Sequence, residues 1–148
     1  MEQARINFFR KWHGAYLEDS GTYVSKEYKS FQIAFKRILN TIANDLNAEL
    51  LWYHPNHYDE SAMLKRGDKY CYIAHYNNTY SRSTPVLHRI LVRTAEHEKD
   101  YRGGMNNFPY WAHFVNEIDE LLGGNGMVEK EDFYPLKQRF PQTHLDEW

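Results

Sequence analysis

The sequence predicts an α+β fold in which a small antiparallel sheet of about four strands packs against N-terminal helices and one later helix. Three observations predict it. Residues 2–46 carry apolar side chains three and four apart, the period of a half-buried helix. Residues 50–94 change to short Tyr- and Val-rich runs punctuated by Gly67-Asp68 and Pro85, the pattern of strands joined by turns. Past Asn107 the helical spacing returns.

Each element has its own signal. Phe8, Phe9, Trp12 and Tyr16 form one face of a first helix over Glu2–Leu17, stopped by Asp19-Ser20-Gly21. Ser25 suits the N-cap of a second helix reaching Leu46, with Phe31, Phe35, Ile38, Leu39, Ile42 and Leu46 as its stripe. Lys29, Lys36, Arg37 and Asn40 lie off that face. Leu50–Tyr53 is strand-length and precedes Pro55. Met63–Arg66 and Lys69–Ala74 flank Gly67-Asp68, which reads as a two-residue hairpin of type II′. On the second of these strands Tyr70, Tyr72, Ala74 and Tyr76 share one face, and Cys71, Ile73 and His75 the other. Residues 77–84 read as a loop. Val86–Thr94 reads as a further strand that puts Arg89 and Arg93 on one face with Leu87 and Leu91. Residues 96–107 are too polar and Gly-interrupted for a regular element. Asn107 is the expected cap of a third helix with Pro109 in its first turn, ended by Gly123-Gly124. A short helix near Lys130–Arg139, broken at Pro135, closes the chain.

Composition bounds the function classes. The 148 residues make one domain, 1–148, with 42% hydrophobic, 26% charged and an unusual 16% aromatic residues. No apolar run approaches the roughly 18 residues of a membrane span. The N-terminus lacks the features of a signal peptide, and Cys71 is the single cysteine, so the expected location is cytoplasmic. Net charge is −2, with residues 1–60 at −1, residues 61–107 at +4 and residues 108–148 at −5. That balance argues against strong nonspecific nucleic-acid binding and leaves room for a local basic surface.

The stretch from Arg89 to Gly104 concentrates groups that hold anions or move protons. Arg89, Arg93, Lys99 and Arg102 supply cations, and Gly103 and Gly104 allow backbone amides to approach a ligand. His97 with Glu98 or Asp100 supplies the parts of a general base and its orienting carboxylate. The same residues also make an ordinary polar connection with Arg93 paired to Glu96 or Glu98. Tyr70, Tyr72 and Tyr76 beside Lys65, Lys69 and Arg89 resemble the ring-and-cation surface of single-strand binders, and equally suit half-buried strand positions or a protein interface. His54-x2-His57 does not establish a metal site, and Cys71 reads as a buried apolar residue. Arg66-Gly67-Asp68 is explained by the hairpin. Asn77-Asn78-Thr79 is a sequon only in a secreted chain.

The runs KRGDKYCYI and ILVRTAEHEKDYRGGMNNF, within residues 61–108, resemble a pattern in small proteins of gut-bacterial phages and mobile elements. The resemblance implies Arg93, Asp100, Gly103, Gly104, Asn106 and Asn107 as the marked positions. It favours a binding or inhibitor role, because small phage-borne α+β proteins often act as inhibitors or adaptors.

The expectation is a non-catalytic protein without cofactor or metal, acting on a host protein or ribonucleoprotein complex, with nucleic acid as a further candidate partner. Its contact residues are Arg89, Arg93, Tyr70, Tyr72, Lys99, Arg102, Gly103, Gly104 and Asn106. The alternatives are a small hydrolase or nuclease using His97, Glu98 and Asp100, and a small-ligand pocket rimmed by Gly103-Gly104.

Overall fold

The helical spine forms where the strongest apolar stripe predicts it. In the computed structural model, which describes residues 2–17, 19–20, 23–57, 59–75 and 84–126, helix α2 spans Lys26–Asp45. Ser25 caps it, its hydroxyl accepting from the Tyr28 amide at 3.1 Å and so satisfying a donor the helix itself leaves open. Phe31, Phe35, Ile38, Leu39, Ile42 and Leu46 are all buried. Asn47, with φ +53°, closes the other end, its amide bonding Asn44 O while the Ala48 amide bonds Ala43 O.

Helix α1 (Glu2–Trp12) is shorter than the spacing predicts. His13 and Gly14 turn the chain out, yet Leu17 remains in the core. Phe8 lies 4.8 Å from Trp111 between ring centroids, and Trp12 meets Phe31 edge-on at 5.3 Å. A buried Arg5 pairs with Asp45 and fixes α1 to the end of α2. Between these helices, β1 (Asp19–Ser20) and β2 (Tyr23–Val24) form a two-residue antiparallel pair where only a turn was expected.

The main sheet is antiparallel with strand order following the chain: β3 (Glu49–His57), β4 (Asp59–Arg66), β5 (Lys69–His75) and β6 (Ile90–Ala95). Strand β3 runs through Pro55, beyond the expected stop. It is an edge strand whose register shifts between His54 and His57, the setting in which a sheet tolerates proline. Gly67 has φ +62° and Asp68 does not take a positive φ, which is the type II′ hairpin. Cys71, Ile73 and His75 are buried on the helix-facing side, with Ala62, Leu64, Ile90 and Val92 beside them. Tyr70 and Tyr72 lie half-buried on the outer side.

Two expectations are corrected. Val86–Arg89 is a 3-10 turn, not the start of the last strand. The Val86 amide donates to Ala15 O at 2.7 Å, the His88 amide closes the turn on Pro85 O, and all four side chains are buried. Arg89 is therefore separated from the face that carries Arg93. The third helix, α3 (Trp111–Leu121), is preceded by Tyr110 at the N-cap, while Asn107 instead bridges Val92 through amide and carbonyl at 3.0 and 2.8 Å. Pro109 lies ahead of the cap. Gly123, at φ +91°, ends α3, with the Gly123 amide on Glu120 O and the Gly124 amide on Asp119 O.

Arg66, at the hairpin end, donates to Leu46 O, Asp119 O and Leu122 O and pairs with the Asp119 carboxylate at 2.7 Å. One guanidinium thus gathers the carbonyl ends of α2 and α3, where cations are favoured. The described residues share one hydrophobic core, between the three helices and the inner sheet face. No helix among them is long and apolar enough to cross a membrane. Tyr76, most of the 77–84 loop and the expected helix near Lys130–Arg139 lie outside the described residues.

Candidate functional site

Sheet register aligns Trp52, Met63, Tyr72 and Arg93 in one row across all four strands on the outer face. The segment after β6 folds back over that row. Trp52 Nε1 donates to Glu98 O at 2.7 Å, and the Tyr101 ring sits 5.7 Å from Trp52 and 6.3 Å from Tyr72. Arg93 lies over the Tyr72 ring at 4.0 Å and donates to Asp100 O at 2.9 Å and Thr94 O at 3.2 Å. Lys65 approaches the Tyr70 ring at 5.5 Å, and His54 stacks on Trp52 at 4.5 Å.

Asp100 organises the connection itself. Its carboxylate accepts from the amides of Glu96, Arg102 and Gly103 at 3.0, 3.0 and 2.8 Å. These amides, the Glu96 amide first, together with the Arg93 charge, hold its carboxyl below the ordinary value. A Cβ at Gly103 would overlap Asp100 Oδ2, and one at Gly104, where φ is +73°, would come within 2.8 Å of Thr94 O. The glycine pair is required by packing within the loop, and the Gly103 amide is already engaged by Asp100.

The structure places the expected residues as follows. Arg93 is 3% exposed and serves as a clamp beneath the loop, not as a cation offered to solvent. Arg89 is buried in the 3-10 turn. Tyr70 and Tyr72 share the outer face, with Tyr72 covered by Arg93 and Tyr101. Lys99, Arg102 and Asn106 are exposed along the loop. His97 is exposed too, and its Nδ1 accepts from the Lys99 amide at 3.1 Å. With that nitrogen taken and the Asp100 carboxylate spent on three amides, neither Glu98 nor Asp100 orients His97 as a general base would require.

The loop also presents apolar surface. Tyr101, Met105 and Phe108 are 45%, 80% and 36% exposed, three large apolar side chains within eight residues. In the sequence Trp52 is one of an apolar run and Tyr101 one member of a polar stretch, and Met105 and Phe108 carry no site signal. The alternation of β3 against β5 was the signal available for Trp52, whereas the others sit on a loop whose course depends on tertiary contacts.

A second polar cluster lies under α2. The Tyr28 hydroxyl donates to Glu60 Oε2 at 2.9 Å, and His75 Nδ1 meets the same oxygen at 3.0 Å, all three residues being buried. His75 packs 4.8 Å from the Phe31 ring. Burial, aided by the Glu60 charge, pushes the Tyr53 phenol well above its ordinary range. Burial likewise pushes the Cys71 thiol up to about 12, so it is an inert apolar filler. Among the described residues no group of three His, Cys, Asp or Glu side chains is arranged to hold a metal ion. Compared with family models, curated proteins and solved structures, the chain matches none.

Proposed function

We propose that the protein is a non-catalytic binding protein whose contact surface is the 96–108 loop over the outer sheet face, acting on a host protein or ribonucleoprotein complex. One observation carries this reading: Tyr101, Met105 and Phe108 stand exposed on a loop that Trp52 and Arg93 fasten to the sheet and Asp100 braces from within. Exposed aromatic and Met side chains on a pre-ordered support are the makings of an interface core, because little conformational entropy remains to be lost on binding. Lys99, Arg102 and Asn106 around them supply a polar rim. The resemblance of residues 61–108 to proteins of phages and mobile elements supports the same reading, and within it a role as inhibitor or adaptor.

The test is affinity capture from a gut-bacterial lysate with the intact protein and a Tyr101→Asp/Met105→Asp variant. The reading expects a partner retained by the wild type and by His97→Ala, and lost from the double variant. Equal recovery by the double variant removes the loop from the interface. Loss on His97→Ala alone, accompanied by turnover of the captured material, favours the hydrolase instead.

A further inference from the structure

Helix α2 turns the opposite side of the molecule into a basic ridge. Its solvent face presents Lys26, Lys29, Ile33, Lys36 and Arg37, all exposed. The ion pairs among the described residues join other groups, so these four cations are electrostatically unspent. Between this ridge and β3 lies a groove of about 440 Å³, lined by Lys29, Gln32, Ile33, Lys36, Tyr53 and Pro55. Its floor is fixed. Gln32 Nε2 donates to Pro55 O at 2.7 Å, and the Tyr53 hydroxyl donates to Gln32 O at 3.2 Å. Ile33, in the middle, is 62% exposed.

We propose that this groove docks an extended acidic peptide segment of a partner protein, with an apolar side chain seated on Ile33 between Lys29 and Lys36. The two lysines are seven residues apart, about 10 Å along the helix axis. An extended chain covers that distance in three residues, at about 3.3 Å each. Because alternate side chains of an extended chain share a face, two carboxylates four positions apart, about 13 Å, reach both ammonium groups at the ends of their flexible stems, and the side chain midway between them meets Ile33. The same arrangement disfavours a nucleic acid. Single strands bind where rings are free to stack, and here the one ring in the groove is half-buried with its hydroxyl engaged.

The test is an NMR titration of the ¹⁵N-labelled full chain with a capped synthetic peptide in which two Glu stand four positions apart, with a Leu midway between them and Ser in the alternate positions. The controls are the same peptide with Gln for Glu, and an oligothymidylate of equal charge. Docking predicts saturable shifts confined to Lys29–Lys36 and Tyr53. It also predicts weakening by about fivefold for Lys29→Glu or Lys36→Glu, and no change for Lys99→Glu on the 96–108 loop. Binding should fade as ionic strength rises from about 0.1 M to about 1 M, where the screening length falls from about 10 Å to about 3 Å. Since both lysines are exposed, the amide spectrum of each variant should match the wild type away from the substitution. Equal binding of the Gln peptide, tighter binding of the oligothymidylate, shifts centred on residues 96–108, or no saturation with millimolar peptide would each overturn the proposal.

Discussion

The guanidinium carbon of Arg93 lies 4.0 Å from the Tyr72 ring centroid, while its two terminal nitrogens donate to the carbonyls of Thr94 in β6 and of Asp100 in the loop. This one side chain joins the sheet to the connection that covers it. Replacing it with Met keeps the apolar bulk and removes both donors and the cation. Arg93→Met should lower stability by about 2 kcal/mol, from lost charged hydrogen bonds and the ring contact. Hydrogen exchange should accelerate most in residues 96–103, ahead of β4 and β5. A uniform loss of protection would mean that the loop is not separately fastened.

Asp100 makes the loop acid-sensitive. Its carboxyl is held below the ordinary 3.8 by backbone amides, chiefly that of Glu96, so the charged form is favoured in the folded state. A depressed folded value contributes stability above the unfolded value, and that stability is lost as pH falls through the folded one. The amides of Glu96, Arg102 and Gly103 should therefore shift together below about pH 4. In Asp100→Asn this transition should be absent, with the loop already loosened at neutral pH because an amide nitrogen cannot accept. Amide shifts that persist unchanged in the Asn variant would assign the transition to another carboxylate.

The glycine pair gives a sharper contrast. Ala at Gly103 meets the Asp100 carboxylate, and Ala at Gly104 meets Thr94 backbone from a left-handed conformation. Each should cost about 1–3 kcal/mol. Gly14→Ala, where nothing lies within 4 Å, should leave stability within about 0.5 kcal/mol of the wild type. Chemical denaturation of the three variants measures the difference. Equal stabilities would show that the loop shifts freely to accept a side chain.

These contacts mark the boundary of what local pattern reveals. Helix α2 and the Gly67-Asp68 hairpin were legible because period, cap and turn residue agree within a few positions. Val86–Arg89 was not, because its alternation imitates a strand while the Val86 amide is claimed by Ala15, about seventy positions earlier. The loop residues were legible as a cluster, but their division of labour was not. Arg93 faces a ring and carbonyls, Lys99, Arg102 and Asn106 reach solvent, and the exposed apolar surface belongs to Tyr101, Met105 and Phe108. Trp52 and Glu98, 46 positions apart, make the contact that decides this. Nothing within either segment announces the other.

The buried Tyr28, Glu60 and His75 were equally hidden, since polar residues in a core are specified only by one another. Their geometry predicts strong non-additivity. Glu60→Leu alone strands the Tyr28 hydroxyl and His75 Nδ1 without their shared acceptor, and should cost about 3 kcal/mol. His75→Leu alone leaves Glu60 buried with only the Tyr28 hydroxyl to hold it, at a comparable cost. Combining Tyr28→Phe, Glu60→Leu and His75→Leu removes every member of the cluster and fills the space with apolar groups beside Phe31 and Phe35. The triple variant should therefore be more stable than Glu60→Leu by about 1–3 kcal/mol. Denaturant midpoints across this set measure the coupling. If the losses of Tyr28→Phe, Glu60→Leu and His75→Leu, each measured alone, simply add in the triple variant, the residues do not act as a unit, and the ring packing around His75 carries the stability instead.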